Sequence, residues 1–126
     1  MFNKTIELYH DTKIVEQVGH GLVELIENGE LNSSEMTKLL HSYLDPMIEK
    51  NIDYLVLGCS HYPYLIPQIK QILPSRIQII DSGEAVARQT QKVLKEKIGL
   101  NSSKEKGKAV FYTNSNPKVL SEILKD

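Results

Sequence analysis

The chain has 126 residues, 40% of them hydrophobic and 25% charged, which suits one compact globular domain. Its 15 Lys and Arg against 16 Asp and Glu give a net charge of -1, so no basic excess favours a nucleic-acid partner. No apolar run is long enough to span a membrane, and the N-terminus lacks the apolar region of a secretory signal. A single cysteine excludes an internal disulfide, so we expect a protein of the reducing cytoplasm.

The first third of the chain predicts a short strand and two helices. Residues 4–10 alternate as a strand does, and the apolar positions of residues 14–26 fit a helix that Asn28-Gly29 ends. A second helix is expected to begin at Asn32, with Glu35 as the return partner of the cap. Seven positions form its apolar stripe: Met36, Leu39, Leu40, Tyr43, Leu44, Met47 and Ile48. Pro46 within that stripe predicts a kink or a short break.

The middle of the chain predicts two buried strands, each followed by a helix. The run "YLVLGC" at residues 54–59 is apolar without alternation, as in strands that are covered on both faces. A helix is expected from Pro63 or Tyr64 to residue 73, and a second strand over residues 77–81. Asp81 can cap the next helix. Glu84 would be the partner of Asp81 in a capping box, and Gly99 suits the end of that helix.

The last part of the chain predicts a polar loop, a strand and a helix. "AVFYT" at residues 109–113 reads as the strand, and Asn116-Pro117 pairs a helix cap with a proline at the first helical position. Strands therefore alternate with helices, which predicts a three-layer α/β fold with a mostly parallel sheet and helices on both faces. Ligands of such folds bind at the carboxyl ends of the strands, where Cys59, Asp81 and the turn 113–115 would lie.

Cys59 stands between a predicted strand and a predicted helix. A thiol at a helix N-terminus is favoured as thiolate, and the thiolate is the form that acts as base or nucleophile. His61 could donate a proton or stabilise the thiolate, and Ser60 offers a hydroxyl to an anionic ligand. The alternative from these residues alone is packing, because a free cysteine is among the most buried residue types.

Other kinds of site are poorly supported. A cysteine-based phosphatase loop needs an arginine six residues after the cysteine, where this chain has Leu65. The glycines stand singly, so there is no phosphate-binding loop of the glycine-rich kind. One Cys and four scattered His provide no ligand pair at zinc-finger spacing, so no metal site is predicted.

The segment "LVLGCSHYPYL" resembles the second catalytic signature of the glutamate racemases, which is usually written Leu-Gly-Cys-Thr-His-Tyr-Pro. The likeness continues through "IIDSGEAVARQTQKVL", similar to a later segment of that family, and "AVFYTNSNPKV", similar to its final strand and turn. "LVELIENGEL" looks like the segment that carries the family's histidine-supporting glutamate. The resemblance covers nearly the whole chain from about Leu22, and it implies one half of the two-domain racemase fold.

The resemblance also implies a function and roles for four residues. The family interconverts L- and D-glutamate without a cofactor or metal, using two cysteines on opposite faces of the α-carbon, and so supplies D-glutamate for peptidoglycan. Cys59 would be one of these acid/base cysteines, and His61 would assist it. Ser60 replaces a threonine that contacts the substrate, and Glu27 would hydrogen-bond His61 and hold its orientation.

The family's N-terminal half, with its Cys-Asn-Thr motif and the other cysteine, has no counterpart here. We therefore expect residues 1–98 to form the α/β domain with the cysteine site, and residues 99–126 to be the part that completes the other domain in the family. Without that half, residues from Gly99 onward are expected to be mobile, exchanged or packed against a second copy. The expected partners are thus glutamate, the missing half and, as one arrangement, a homodimer.

Three functions remain open at the level of sequence. The first is the catalytic-cysteine half of a glutamate racemase, inactive alone because one base is absent. The second is a stand-alone module that binds a carboxylate or regulates without racemising. The third is a hydrolase or transferase with Cys59 as nucleophile and His61 as base. The cysteine count opposes self-contained racemisation, and the motif opposes hydrolysis.

Overall fold

The structure is a computed structural model that describes residues 11–103, 105, 107–114 and 116–124. The strand predicted over residues 4–10 lies outside these residues. In chain order the elements are α1 (Leu22–Glu27), α2 (Ser34–Glu49), β1 (Tyr54–Val56), a 3-10 helix (Tyr62–Leu65), α3 (Ile66–Ile72), β2 (Gln78–Ile80), α4 (Gly83–Lys97) and α5 (Pro117–Ile123). No helix of the described part is long and apolar enough to cross a bilayer.

The two strands pair in parallel, which confirms the predicted α/β class. Leu55 lies opposite Ile79, and the amide of Leu57 extends the ladder by donating to the Ile80 carbonyl at 2.8 Å. The 3-10 helix and α3 make the crossover between the strands, because parallel neighbours cannot be joined by a tight turn. The carboxyl ends of β1 and β2 therefore lie at the same edge of the sheet.

The core lies between one face of this strand pair and helices α1, α2 and α3. Twelve apolar side chains are buried there: Leu22, Leu25, Ile26, Met36, Leu40, Leu44, Met47, Leu55, Leu57, Leu65, Ile69 and Ile77. Ile26, Met36 and Leu65 are the largest of the fully buried ones. Their burial is the main source of stability for the short elements around Cys59, since isolated helices of this length are marginal in water.

Helix α2 confirms the predicted apolar stripe, with two differences of detail. Its cap is Ser33, whose hydroxyl accepts from the Met36 amide at 3.0 Å, and not Asn32. Pro46 lies inside a helix that runs without a break to Glu49. The prediction of a break is therefore wrong, because α2 is long and its stripe is anchored on both sides of the proline.

Helix α1 is shorter than predicted. Residues 14–19 are not helical, and the helix begins at Leu22, after Gly21 at φ 80°. That left-handed conformation is open to glycine and ends any regular helix that approaches it. The expected stop at Asn28-Gly29 is confirmed, since Asn28 closes the helix.

The second face of the strand pair is largely exposed in the described part of the chain. Tyr54, Val56 and Ile80 are 48%, 63% and 45% accessible, while Leu55 between the first two is buried. The prediction that residues 54–59 are covered on both faces is therefore wrong for these residues. An apolar run shows that a strand can be covered, but it does not supply the covering element.

Helix α4 ends as predicted, but it buries none of its side chains. The Gly99 amide closes it by donating to the Leu94 carbonyl at 2.8 Å. Val86 and Ile98 are largely exposed. At its start the cap position is Ser82, without a side-chain cap bond, and not the predicted Asp81. The Asp81 carboxylate accepts from the Gly83 amide at 2.8 Å, and Glu84 pairs with Arg88 and not with a cap. The predicted division at residue 98 stays a prediction; among the residues that the structure describes, the buried side chains all lie within residues 22–77.

The last predicted strand is wrong: residues 109–113 form no strand among the described residues. Val110, Phe111 and Tyr112 are exposed there. A strand needs a neighbouring strand to pair its backbone N–H and C=O groups, and an apolar composition alone does not supply one. The helix that follows, α5, begins as the Asn116-Pro117 pair predicts. Asn116 accepts from the Lys118 amide at 3.0 Å, and Ile123 of α5 packs against the core.

Candidate active site

Cys59 lies in the turn that follows β1 at the carboxyl edge of the sheet. The ladder bond of Leu57 fixes the chain up to that residue, and Gly58 then leads into the turn. The Tyr62 amide donates to the Cys59 carbonyl at 3.2 Å and closes the turn where the 3-10 helix begins. The thiol is free and half-buried, so it is held at the surface by fixed backbone on both sides.

The His61 ring lies between Cys59 and Glu27. Its Nδ1 is 3.8 Å from the Cys59 sulfur, and its Nε2 is 3.1 Å from a carboxylate oxygen of Glu27. Glu27 is the last residue of α1, 34 positions before His61 in the chain. The structure thus brings Cys59, His61 and Glu27 into one chain of contacts, including the Glu27–His61 contact that the resemblance implies.

The Glu27 carboxylate determines which nitrogen of the His61 ring carries the proton. A carboxylate can only accept, so Glu27 favours a proton on Nε2. Nδ1 is then free to accept from the thiol, or to donate to the thiolate when the ring is charged. The Glu27 and His61 side chains are 62% and 34% exposed, so solvent screens their attraction. The contact therefore serves mainly to orient the ring.

Ser60 lies beside this chain of contacts. Its hydroxyl is 3.5 Å from Nδ1 of His61, at the limit of a hydrogen bond, and the residue is exposed. The hydroxyl is therefore available to an incoming ligand. Sequence placed Ser60 at this edge correctly, but its role as a substrate contact stays a prediction.

The other two positions assigned to this edge behave differently. Asp81 follows β2 and lies at the same sheet edge as Cys59, as predicted, although its carboxylate is engaged with the Gly83 amide. Residues 109–113 are not a strand, and position 115 of the predicted turn 113–115 lies outside the described residues, so the place of that turn at the edge stays a prediction.

Tyr62 is a site residue to which no role was assigned from the sequence. Its hydroxyl donates to the Gly19 carbonyl at 3.3 Å, just before α1. Burial raises the pKa of the Tyr62 phenol, and the neighbouring Cys59 raises it further. Its place in the quoted signature, directly after His61, was the signal that could have marked it.

Two cavities of the described part lie away from this turn. One, of about 320 Å³, lies between the 3-10 helix and α5 and is lined in part by Leu31, Tyr64 and Ile123. Another, of about 370 Å³, lies beneath Leu73 and Ile77. Within residues 11–124, as far as they are described, no group of three His, Cys, Asp or Glu side chains could hold a metal ion.

Comparisons with known proteins agree on one group of enzymes. No protein-family model matches the chain. A glutamate racemase of Pseudomonas putida is 39% identical over 115 residues, which are 91% of this chain and 43% of the relative. The crystal structure of a Bacillus anthracis glutamate racemase isoform aligns with a TM-score of 0.67 at 30% identity, over 80% of this chain and 38% of that one.

A second solved structure adds a ligand. The glutamate racemase of Francisella tularensis in complex with D-glutamate aligns with a TM-score of 0.69 at 25% identity, over 81% of this chain and 38% of that chain. The chain spans about two-fifths of the length of the relatives it matches. Over nine-tenths of its own length it is homologous to the glutamate racemases.

Proposed function

We propose that this chain supplies the Cys59 half of a glutamate racemase. The observation that carries the proposal is the chain of contacts Cys59–His61–Glu27 at the carboxyl edge of β1, in a sequence about 40% identical to glutamate racemases. Cys59 is the acid/base group, His61 exchanges a proton with it, and Glu27 holds the His61 ring. Ser60 contacts the glutamate.

The proposed reaction balances through two thiols. The Cys59 thiolate takes the α-proton of one glutamate enantiomer and becomes a thiol, leaving a carbanion at the α-carbon. A second thiol, on the opposite face, gives its proton to that carbanion and becomes a thiolate. The configuration is inverted, no cofactor or metal takes part, and the reverse reaction uses the two groups in exchanged roles.

The second thiol must come from elsewhere, because Cys59 is the only cysteine of this chain. We propose that its source is an N-terminal racemase half of the kind that fills the rest of the relatives' length. The exposed apolar side chains of β1 and α4 support such a partner, because a partner domain would cover this apolar surface and remove it from water. A homodimer that covers the same surface is the competing arrangement.

The division of labour along the chain is part of the same proposal. Residues 1–98 form the domain with the cysteine site, and residues 99–126 complete the partner domain. The proposed setting is the cytoplasm, where D-glutamate is made for peptidoglycan and so for cell-wall biogenesis and cell shape.

A stand-alone carboxylate-binding module is the second candidate function. The presence of one cysteine favours it over a self-contained racemase, because one thiol reaches only one face of an α-carbon. Such a module would bind glutamate at the Cys59 edge without inverting it.

Hydrogen exchange at the α-carbon separates the two candidates. L-Glutamate and D-glutamate are incubated separately with the chain in deuterated buffer, with a Cys59→Ser variant as the matched control, and the α-proton signal is followed by NMR. The proposed half-racemase exchanges the α-proton of one enantiomer with retention of configuration, and Cys59→Ser does not. Saturable binding of glutamate without exchange, in both the wild-type chain and the variant, favours the binding module.

A further inference from the structure

Tyr62 connects the two segments that carry the Cys59 site. It follows His61 directly, and its amide donates to the Cys59 carbonyl at 3.2 Å. Its hydroxyl reaches 43 positions back along the chain and donates to the Gly19 carbonyl at 3.3 Å. One residue is therefore bonded both to the turn of Cys59 and to the loop from which α1 begins.

The helix at the far end of this connection needs an external anchor. Helix α1 has only six residues, and the residue at its cap position, Gly21, has no side chain that could accept a hydrogen bond from the first turn. The Gly19 carbonyl that Tyr62 binds also accepts from the Leu22 amide at 3.4 Å, at the first residue of the helix. A short helix without a side-chain cap takes its position from tertiary contacts, and the Tyr62 hydroxyl provides one at its N-terminal end.

The position of α1 determines where Glu27 lies. Glu27 is the last residue of α1, and its carboxylate is 3.1 Å from Nε2 of His61. A movement of the helix by 1 Å would take that contact beyond hydrogen-bond length. The Tyr62 hydroxyl thus helps to fix the distance between Glu27 and His61, and His61 is the residue that precedes Tyr62 in the chain.

The packing at Gly19 favours the same close approach. A Cβ added to Gly19 would lie 2.6 Å from the Tyr62 hydroxyl oxygen and 2.6 Å from Cδ1 of Leu22. Real Cβ atoms do not approach other atoms so closely, so a side chain here would displace the hydroxyl or the helix. Glycine at position 19 allows the tyrosine to reach the backbone.

We infer that Tyr62 is a positioning residue, whose hydroxyl holds α1 against the Cys59 turn so that Glu27 stays in contact with His61. This inference deepens the proposed role of Cys59 and rests on it. Tyr62 touches neither proton nor substrate in this account. It acts through Glu27 and His61, and its loss should resemble the loss of the Glu27 carboxylate.

The test is the pH profile of Cys59 alkylation by iodoacetamide in the full chain. Because the chain has one cysteine, the mass added by the reagent reports Cys59 alone. The wild type is compared with Tyr62→Phe, Glu27→Gln, the double variant of these two, His61→Ala and Tyr64→Phe. The last is the matched control, since Tyr64 lies on the same 3-10 helix and faces the cavity beside Ile123.

We expect the Tyr62→Phe and Glu27→Gln profiles to move in the same direction, with the rate at about pH 7 changed roughly two- to fivefold, the factor that one hydrogen bond contributes. The Tyr64→Phe profile should coincide with that of the wild type. The double variant Tyr62→Phe/Glu27→Gln should show no more than the larger single effect, because both changes act on one contact.

Two results would overturn the inference, and only the second of them also contradicts the proposed function. A Tyr62→Phe profile that coincides with the wild type, while Glu27→Gln moves, refutes the positioning role and leaves the proposed function standing. If neither Glu27→Gln nor His61→Ala moves the profile, Cys59 is not coupled to these residues and both proposals fail. Should Tyr62→Phe lose its folded circular dichroism spectrum, Gly19→Ala, which displaces the hydroxyl from the other side, is measured in its place against the same criteria.

Discussion

Glu27 and His61 are 34 residues apart in the chain, yet the carboxylate of one is 3.1 Å from Nε2 of the other. The contact joins the C-terminal end of α1 to the turn after β1. It leaves the other ring nitrogen of His61 facing the Cys59 sulfur at 3.8 Å. The chemistry proposed for Cys59 therefore depends on a relationship between two segments that lie far apart in the chain.

The first prediction concerns His61 as the proton partner of the thiol. Replacing it in a His61→Ala variant removes the imidazole that lies 3.8 Å from the Cys59 sulfur, so the alkylation rate at about pH 7 should fall roughly fivefold. Replacing His41 is the control, because that histidine pairs with Asp45 on the exposed side of α2. Equal rates in the wild type and in His61→Ala would contradict a coupled pair.

The second prediction concerns stability at high pH. The folded chain raises the pKa of Tyr62 above its ordinary value of 10.0, chiefly by burial. The unfolded chain therefore releases this proton first, so stability is complete below about pH 10 and is lost as the pH rises towards the raised folded value. Urea unfolding at about pH 8 and about pH 11 should show a larger loss for the wild type than for Tyr62→Phe. A loss of the same size in both proteins would contradict the assignment.

The third prediction concerns the core that supports the site. Met36 is fully buried against the helices over β1, so Met36→Ala should cost about 2–5 kcal/mol of unfolding free energy. Val56→Ala, on the exposed side of β1, should cost about 1 kcal/mol or less. Urea denaturation of the two variants gives both values. Comparable losses would mean that the second face of the strand pair is covered in solution.

The fourth prediction concerns α4, which buries no side chain. A Val86→Glu change should leave the unfolding free energy of the isolated chain within about 0.5 kcal/mol, because Val86 is largely exposed. The same change should weaken association with an added N-terminal racemase half, since a charge on an apolar surface opposes its burial. The stabilities come from urea denaturation and the affinities from calorimetric titration. Unchanged affinity would exclude α4 from that interface.

The sequence predicted those elements whose signals are local. The stripe from Met36 to Ile48, the stop at Asn28-Gly29 and the cap at Asn116 are all confirmed. The errors arose where structure depends on distant segments. Residues 109–113 have strand composition but form no strand, and Val56 lies in an apolar run whose second face is uncovered in the described part of the chain.

The site divides in the same way. Cys59 and Asp81 could be assigned to one edge because parallel strands share their carboxyl ends. Glu27 could not be placed beside His61 by spacing, and resemblance to a family was needed to suggest it. Tyr62 was missed because its partner is a backbone carbonyl 43 residues away, and no pattern of side chains marks such a bond.

The most direct test of the account is racemisation by complementation. The chain is mixed with an N-terminal glutamate racemase half that carries the second cysteine, and the circular dichroism of L-glutamate is followed, with Cys59→Ser as the control. We expect no inversion by either half alone, inversion by the mixture, and none by the mixture that contains Cys59→Ser. Inversion by the isolated 126-residue chain, or by the mixture without the Cys59 thiol, would contradict the claim that Cys59 is one of two necessary acid/base groups.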